Sequence, residues 1–260
     1  MEVSVIIPTY NRKELLTFGL QSLAKQKVPW PYEIIVLNEY YEDGTREICA
    51  PYPNVRYVMT RPTVPPDNLV WRVPGAAINI GAKLAQAKII IISCPEIYLL
   101  EEDVLFNIVN PLLTTSKVMT YCIGFDDRNG NILDFIRRGL PFTLLPDKGR
   151  IPSDRKRGIY SLNTLYPFFM GINREKFISI GGYDEDFLGG YCFDDNDFMD
   201  RMELSGCTYL LVSGRILHLY HSRLNYKLPA IRTFYDKNLS LYKARMGIVN
   251  RNVGREWGIL

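Results

Sequence analysis

Short apolar runs along the chain predict a sheet of buried strands. Val3–Ile7 is a largely β-branched run that Pro8 stops, as expected of a parallel strand buried on both faces. Residues 33–37 and 88–93 repeat this pattern, and residues 55–58 form a shorter run of the same kind. Further strands are predicted at residues 117–124 and 208–212.

Apolar side chains at helical spacing separate these runs. The first such segment places Leu16, Leu20 and Leu23 on one face, with Asn11 as the expected N-cap. Strands alternating with helices are typical of a central, mostly parallel α/β sheet flanked by helices. Residues 126–165 are rich in Gly, Pro, Asp, Arg and Lys, and are predicted to form long loops. Further helices are predicted at residues 75–87, 102–112, 194–204 and 229–246.

Composition narrows the class of protein. Of the 260 residues, 47% are hydrophobic, so a large core is expected, and the net charge of +3 does not by itself indicate a nucleic-acid partner. The five cysteines are scattered and never form a C-x-x-C pair, which argues against a structural zinc site and favours a reducing compartment. Apolar runs such as Ile89–Ile92 are too short to span a bilayer, and the first strand begins too early for a signal peptide. We therefore expect a soluble, cytoplasmic protein without a transmembrane segment.

Polar residues cluster where the predicted strands end. In open α/β sheets, ligands bind outside the carboxyl ends of the strands. The segments at these ends are 9–12, 38–39 and 93–96, and a fourth acidic segment, 194–197, lies downstream. No G-x-G-x-x-G follows the first strand and no G-K-[ST] occurs, so a dinucleotide dehydrogenase and a P-loop NTPase are poor fits.

The opening motif resembles a known family. The sequence Val-Ser-Val-Ile-Ile-Pro-Thr-Tyr-Asn-Arg at residues 3–12 is similar to the first strand and nucleotide-binding turn of family 2 glycosyltransferases with the GT-A fold. The second strand of that family usually ends in two aspartates, and Asn38 and Glu39 stand in their place. The resemblance implies that Glu39 contacts the base of a nucleotide-sugar, most often a UDP-sugar. It implies the same donor-binding role for Pro8, Thr9, Tyr10 and Arg12.

Two further segments resemble the donor half of this family. Residues 76–81 are similar to its A-R-N-x-G helix start, which implies that Asn79 is a donor-binding residue, and Arg72 just upstream is a candidate partner for the diphosphate. Cys94-Pro95-Glu96 stands where the family has its D-x-D metal motif. The resemblance implies Glu96 as a ligand of Mn²⁺ or Mg²⁺, for which a hard oxygen is suited, and Cys94 as a donor-binding position.

The clearest resemblance lies downstream, in the segments 181–187 and 189–197. They are similar to the G-G-[FY]-D-E-x-F and G-[WY]-G-x-E-D-x-D motifs of family 2 enzymes and β-1,4-galactosyltransferases. The match implies Asp195 as the general base of an inverting transfer. It implies that Gly190, Tyr191 and Asp194 bind the acceptor. A simpler interpretation is that Asp194, Asp195 and Asp197 only stabilise the start of a helix.

A histidine completes the predicted metal site. Residues 218–223 resemble the H-x-x-H ending of the same region, and residues three apart on an extended strand face opposite sides. One ligand is therefore expected, and we favour His221 over His218. The resemblance divides the chain into a GT-A catalytic domain at 1–223 (donor half 1–115, acceptor half 116–223) and a C-terminal helical extension at 224–260.

The acceptor stays open. An aromatic floor for a sugar or a base is predicted from Tyr160, Tyr166, Phe168, Phe169 and Tyr191. Residues 147–157 carry five cations and two anions, either as a solvated loop or as a surface for an anionic acceptor. The acceptor is then a glycan or lipid-linked sugar, or alternatively a hydroxymethylated base in DNA. A third alternative is a degenerate protein that binds nucleotide-sugars or glycans without catalysis.

Overall fold

A computed structural model describes residues 1–39, 42–60, 73–127, 130–139, 159–160, 168–222 and 229–260. The described strands form one sheet in the order β3-β2-β1-β4-β8-β6-β9-β5, with β7 beside β9. Strands β1–β4, β6 and β9 run in one direction, and β5, β7 and β8 run in the other. The sheet is thus mainly parallel and flanked by helices, as the apolar pattern predicts.

The donor half forms one side of this sheet. The chain builds β1, β2 and β3 outward in one direction and then returns to place β4 on the other side of β1. A crevice therefore opens beyond the carboxyl ends of β1 and β4, where connections leave in opposite directions. The elements are β1 (Val3–Thr9), α1 (Lys13–Leu23), β2 (Tyr32–Glu39), α2 (Thr45–Cys49), β3 (Val55–Thr60), α3 (Gly75–Leu84) and β4 (Ile89–Ser93).

The remaining part of the chain, from residue 97 onward, completes the sheet with strands of mixed direction. Its elements are β5 (Ile97–Leu99), α4 (Val104–Val109), β6 (Val118–Asp126), α5 (Asn131–Arg137), β7 (Ile159–Tyr160), β8 (Phe169–Asn173), α6 (Arg174–Ser179), α7 (Asp194–Leu204), β9 (Thr208–His218) and α8 (Pro229–Arg245). Two 3₁₀ turns, Asn110–Leu113 and Glu185–Gly189, precede β6 and α7. Two large apolar clusters cover the faces of the sheet, one against α3, α6 and α7 and the other against α1 and α4.

Two predictions of local structure were wrong, and one central strand was not predicted. Residues 168–173 gave no strand signal, yet β8 lies in the middle of the sheet between β4 and β6. Its Gly171 is required because a Cβ there would lie 2.5 Å from the Thr120 hydroxyl. The predicted loop 126–165 contains α5, whose apolar side chains pack on Leu15 and Leu217. Asn11 does not cap α1: the N-cap residue is Arg12, without a capping side-chain hydrogen bond, and Asn11 has a φ of 53°.

The C-terminal extension is docked on the acceptor half by buried ion pairs. Arg251 is 6% exposed, and its guanidinium lies 3.0 Å from Asp184 and 2.7 Å from Asp197. Arg201, 1% exposed, pairs with Asp197 at 2.6 Å and donates to the Gly182 carbonyl. Burying charges is tolerated only when they are paired and hydrogen-bonded, so this cluster fixes the path of the chain around α7. Within the described ranges, no helix is both long enough and apolar enough to cross a membrane.

We expect Arg251→Ala to lower the free energy of unfolding by about 1.5–3 kcal/mol, because it removes charged hydrogen bonds from two buried carboxylates. Asp184 keeps Arg245 and Asp197 keeps Arg201, so neither carboxylate is left without a cation. Arg255→Ala is the matched control: its side chain is 41% exposed and pairs with the 37% exposed Asp186, so the loss should be at most about 1 kcal/mol. Urea titration of both variants measures the difference. Equal, small effects would show that the tail is not held by the buried pairs.

Candidate active site

The donor-side residues lie together at the carboxyl ends of β1 and β2. Thr9 pairs with Asn38 in the parallel register, so the two strands end side by side. Thr9 is 2% exposed and its hydroxyl has no hydrogen-bond partner within the described structure, while Glu39 is 3% exposed. Pro8 is buried within β1, and Tyr10 and Arg12 are half-buried just beyond it. This edge can receive a polar ligand, as the strand pattern predicts.

Three side chains with metal-ligating atoms meet beyond β4. The ligand atoms of Cys94, Glu96 and His218 all lie within 4.8 Å of one another. Glu96 and His218 are buried, and Cys94 is half-buried. Burial and the nearby negative charge of Glu96 raise the pKa of the Cys94 thiol well above its usual value.

The sheet register brings His218 to Glu96. In the antiparallel pair of β5 and β9, His218 lies opposite Ile97, the residue that follows Glu96. The Leu219 amide then donates to the Glu96 carbonyl at 2.8 Å. On the other side, β6 pairs in parallel with β9 and places Asp126 opposite His218, with Asp126 Oδ1 3.3 Å from His218 Nδ1. A carboxylate that orients the imidazole of a ligating histidine is a usual feature of metal sites.

A cation already faces the carboxylate of this cluster. The Arg12 Nε donates to Glu96 Oε1 at 3.1 Å. Arg12 also lines a cavity of about 550 Å³ between α1, α5 and the segment after β9, together with Arg137, Tyr220 and His221. Arg137 is itself paired with Glu14 at 2.8 Å. The cluster is therefore flanked by a basic pocket open to solvent.

The preference for His221 over His218 is not supported by this geometry. His218 belongs to the cluster, whereas the half-buried His221 lies outside it and donates from Nδ1 to the Ser222 carbonyl at 2.9 Å. The alternation argument assumed an extended strand through both residues, but β9 ends at His218. The two rings therefore come to 5.2 Å from each other rather than lying on opposite faces.

Asp195 stands at the first turn of α7 next to the aromatic core. The Tyr183 hydroxyl donates to Asp195 Oδ1 at 3.2 Å, and the Tyr183 ring is stacked on Phe198 at 4.4 Å. Burial raises the pKa of Asp195 to about 6, an effect that the Tyr183 hydrogen bond partly offsets. The negative charge of Asp195 also contributes to the raised pKa of Cys94, so the two groups lie within electrostatic reach of each other.

Asp194 and Asp197 differ sharply in their surroundings. Asp194 is 5% exposed, and its Oδ2 has no hydrogen-bond partner within the described structure. Burial and the neighbouring Asp195 raise the pKa of Asp194 well above its usual value. Asp197 instead holds Arg201 and Arg251. The residue before the helix is Phe193, and no side chain caps it, so capping does not account for the acidic segment.

Two residues predicted to contact ligands have other roles. Asn79 is fully buried, receives the Tyr183 amide at 2.8 Å and donates to Glu185 at 2.9 Å. It therefore holds the turn before α7 and cannot reach a donor from this position. Gly190 is buried, and a Cβ there would lie 1.9 Å from Asn238 Oδ1 of α8, so its small size serves close packing.

The remaining predicted residues are only partly described. Tyr191 is half-buried, and its amide donates to the Phe234 carbonyl at 3.1 Å. Phe168 lies 4.9 Å from the His218 ring, but Phe169 is 2% exposed and belongs to the core, so it cannot contribute to an aromatic floor. Arg72, Tyr166, the basic segment 147–157 and the Tyr160 side chain lie outside the described residues.

Comparison with known families matches both halves of the chain. The model "Glycosyl transferase family 2" matches residues 4–94, and the model "N-terminal domain of galactosyltransferase" matches residues 155–223. The first range contains the donor edge up to Cys94, and the second contains Asp195 and both histidines. These matches confirm the resemblance predicted from the sequence motifs: residues 4–94 are similar to family 2 glycosyltransferases, and residues 155–223 are similar to galactosyltransferases.

Individual relatives agree with this assignment. The chain is 28% identical over 213 residues to validoxylamine A glucosyltransferase of Streptomyces hygroscopicus subsp. limoneus, a match that covers 72% of this chain and 45% of that protein. Staphylococcus aureus TarS 1–349 in complex with UDP-GlcNAc has a TM-score of 0.64 at 18% identity, covering 94% and 66%. The mannosyltransferase PcManGT of Pyrobaculum calidifontis, in complex with GDP-Man and Mn²⁺, has a TM-score of 0.60 at 18% identity, covering 94% and 63%. The GT-A fold is thereby confirmed, and the chain spans less than half the length of the first relative.

The raised pKa of Asp195 predicts a pH-dependent gain in stability for Asp195→Asn. A carboxyl group whose pKa is raised on folding stabilises the fold when protonated, and this contribution is lost as the pH rises through the folded-state pKa of about 6. The variant cannot ionise. Relative to wild type, its free energy of unfolding should therefore increase by about 1–3 kcal/mol between pH 4 and pH 8. Urea titration at both pH values measures this, and a pH-independent difference would contradict the assigned burial.

The two histidines give a matched pair for the metal site. We expect His218→Ala to weaken Mn²⁺ binding by more than about tenfold, since even the loss of a group that orients a ligand has an effect of that size. His221→Ala should remain near wild type. Isothermal titration with Mn²⁺ distinguishes the two, and the opposite order would restore His221 as the ligand.

Proposed function

We propose that this chain transfers a sugar from a nucleotide-sugar, most simply a UDP-sugar, to an acceptor hydroxyl with inversion at the anomeric carbon. The observation that carries the proposal is the meeting of two groups from opposite halves of the chain. The half-buried Asp195, with its pKa raised to about 6, lies within electrostatic reach of Cys94 in the Cys94–Glu96–His218 cluster. A base within electrostatic reach of a metal-binding cluster is what such a transfer requires.

The donor set of the cluster fits a divalent ion. It combines a carboxylate, which suits Mn²⁺, with an imidazole oriented by Asp126 and a thiol, which suit later transition metals. Glu96 and His218 would hold the ion, with His218 binding through Nε2. When bound, the ion would neutralise charge that develops on the departing nucleoside diphosphate.

The donor would lie across the carboxyl ends of β1 and β2. Thr9 offers a buried hydroxyl and Glu39 a buried carboxylate at this edge, which suits the ribose and base of a nucleotide. Structural neighbours bound to UDP-GlcNAc and to GDP-Man support a nucleotide-sugar donor. Arg12, half-buried beside Glu96, would face the diphosphate.

Asp195 would remove the proton from the acceptor hydroxyl. Burial raises the pKa of Asp195 and so strengthens it as a base, while a pKa of about 6 leaves it ionised at neutral pH. Tyr183 fixes its orientation by donating to Oδ1. The hydroxyl then attacks the anomeric carbon from the face opposite the leaving diphosphate, and a single displacement of this kind inverts the configuration. The adjacent Asp194, buried with one oxygen without a partner in the described structure, would receive a hydrogen bond from the acceptor.

The proposal defines the acceptor only by its reacting group. The described residues give no observation that favours DNA over a glycan, because the basic segment 147–157 lies outside them. The relatives are named for two different acceptors, validoxylamine A and poly(ribitol-phosphate). We therefore propose only the chemical group, a hydroxyl.

Asp195→Asn should lower kcat by about 10²–10⁴-fold while donor affinity stays near wild type, because general-base catalysis contributes an effect of this size. The wild-type kcat/KM should fall at acidic pH with an apparent pKa near 6. Release of UDP from a UDP-sugar panel with Mn²⁺ measures the rate, and titration with UDP serves as the binding control. Full activity of the variant would contradict the assigned base.

A further inference from the structure

The position of the Cys94 thiol bears on which metal ion the cluster would bind. In the predicted metal motif a carboxylate would be expected at this position, and this chain has a thiol instead. The thiol is not merely a neighbour in sequence. Its sulfur lies within 4.8 Å of a ligand oxygen of Glu96 and a ligand nitrogen of His218. This inference rests on the proposed function, since it concerns the ion of the same cleft.

We propose that Cys94 is itself a metal ligand and that its thiolate shifts the site away from Mg²⁺ towards borderline ions such as Zn²⁺ and Co²⁺. Mg²⁺ demands oxygen ligands in near-ideal octahedral geometry. A set of one sulfur, one nitrogen and one oxygen matches the ligands of Zn²⁺ sites that keep an open position. A diphosphate oxygen is a suitable ligand for that open position.

The geometry needs only a small contraction to bind such an ion. Ligand atoms in a tetrahedral zinc site are about 3.5 Å apart, given metal–ligand bonds of about 2.0–2.3 Å. The three atoms here lie within 4.8 Å of each other, so shifts of about 1 Å are sufficient. His218 is already oriented by Asp126, and the backbone after Glu96 is fixed by pairing with β9, so the motion falls mainly on side chains.

Binding of the ion by the thiol requires the release of one proton. The Cys94 thiol releases its proton to solvent as the sulfur–metal bond forms. No oxidant or reductant takes part. Arg12, which now pairs with Glu96 Oε1 at 3.1 Å, can remain on that oxygen while the other carboxylate oxygen binds the ion.

Cobalt spectroscopy tests the proposal directly. Addition of Co²⁺ to the full chain should produce a thiolate-to-cobalt charge-transfer band in the near ultraviolet. Cys94→Ser should abolish the band, whereas Cys192→Ser should keep it, since Cys192 is also half-buried but lies outside the cluster. Zn²⁺ affinity should fall by more than about tenfold in Cys94→Ser.

Cys94→Asp provides the converse variant. It should lack the charge-transfer band and should favour Mg²⁺ and Mn²⁺ over Zn²⁺ relative to wild type. Because it should still bind metal, retained binding would show that the site is folded. If Co²⁺ binds wild type without a thiolate band, or if Cys94→Ser leaves the band unchanged, the thiolate assignment is wrong. Because Glu96→Gln tests the ion site independently, an unchanged Mn²⁺ affinity in that variant would overturn the metal role in the proposed function instead.

Discussion

The antiparallel pairing of β5 with the end of β9 is the constraint on which the site depends. It joins two segments more than a hundred residues apart, because His218 lies opposite Ile97 and the Leu219 amide donates to the Glu96 carbonyl. These contacts are hydrogen-bonded pairs of the backbone ladder, so the strand register sets the positions of the residues beside them. The chain therefore positions its metal-ligating groups by sheet register, and the side chains supply only the chemistry.

A second set of contacts fixes the turn that supports Asp195, the proposed base. Asn79 holds the turn before α7 by accepting a hydrogen bond from the Tyr183 amide. Arg251 of the C-terminal segment holds the same region by pairing with Asp184 and Asp197. Neither group touches the proposed reacting atoms. Their burial makes the turn rigid, and the rigid turn holds Tyr183 and with it the Asp195 carboxylate. The C-terminal tail is in this sense part of the support of the active site.

Sequence patterns predicted the donor half well and the acceptor half less well. The runs Ile34–Leu37 and Ile89–Ile92 are apolar throughout, so they indicate central strands without further information. Strand β8 was not predicted because Gly171 interrupts its apolar pattern. The glycine is needed because a Cβ there would collide with Thr120 and other side chains from distant segments. Helix α5 could have been found from Leu133 and Ile136 at helical spacing, within a segment whose composition indicated loop.

The site residues also divide into those that a local sequence pattern indicates and those that only long-range contacts reveal. Motif resemblance located Glu96 and Asp195, since each stands in a recognisable local pattern. The choice between His218 and His221 required the length of β9, and the role of Asn79 required knowledge of its partner Tyr183, 104 positions away. Long-range pairing of this kind leaves no local signal, so only the fold reveals it. The involvement of Cys94 in the cluster also became visible only once Glu96 and His218 were placed.

The central claim is that the two halves of the chain close on one divalent ion and one nucleotide. A crystal of the protein grown with Mn²⁺ and UDP, measured at a wavelength where manganese scatters anomalously, tests it most directly. We predict a single strong anomalous peak between Glu96 and His218, with UDP at the ends of β1 and β2 and Asp195 facing the same cleft. A manganese peak elsewhere, or UDP bound away from this edge, would contradict the account.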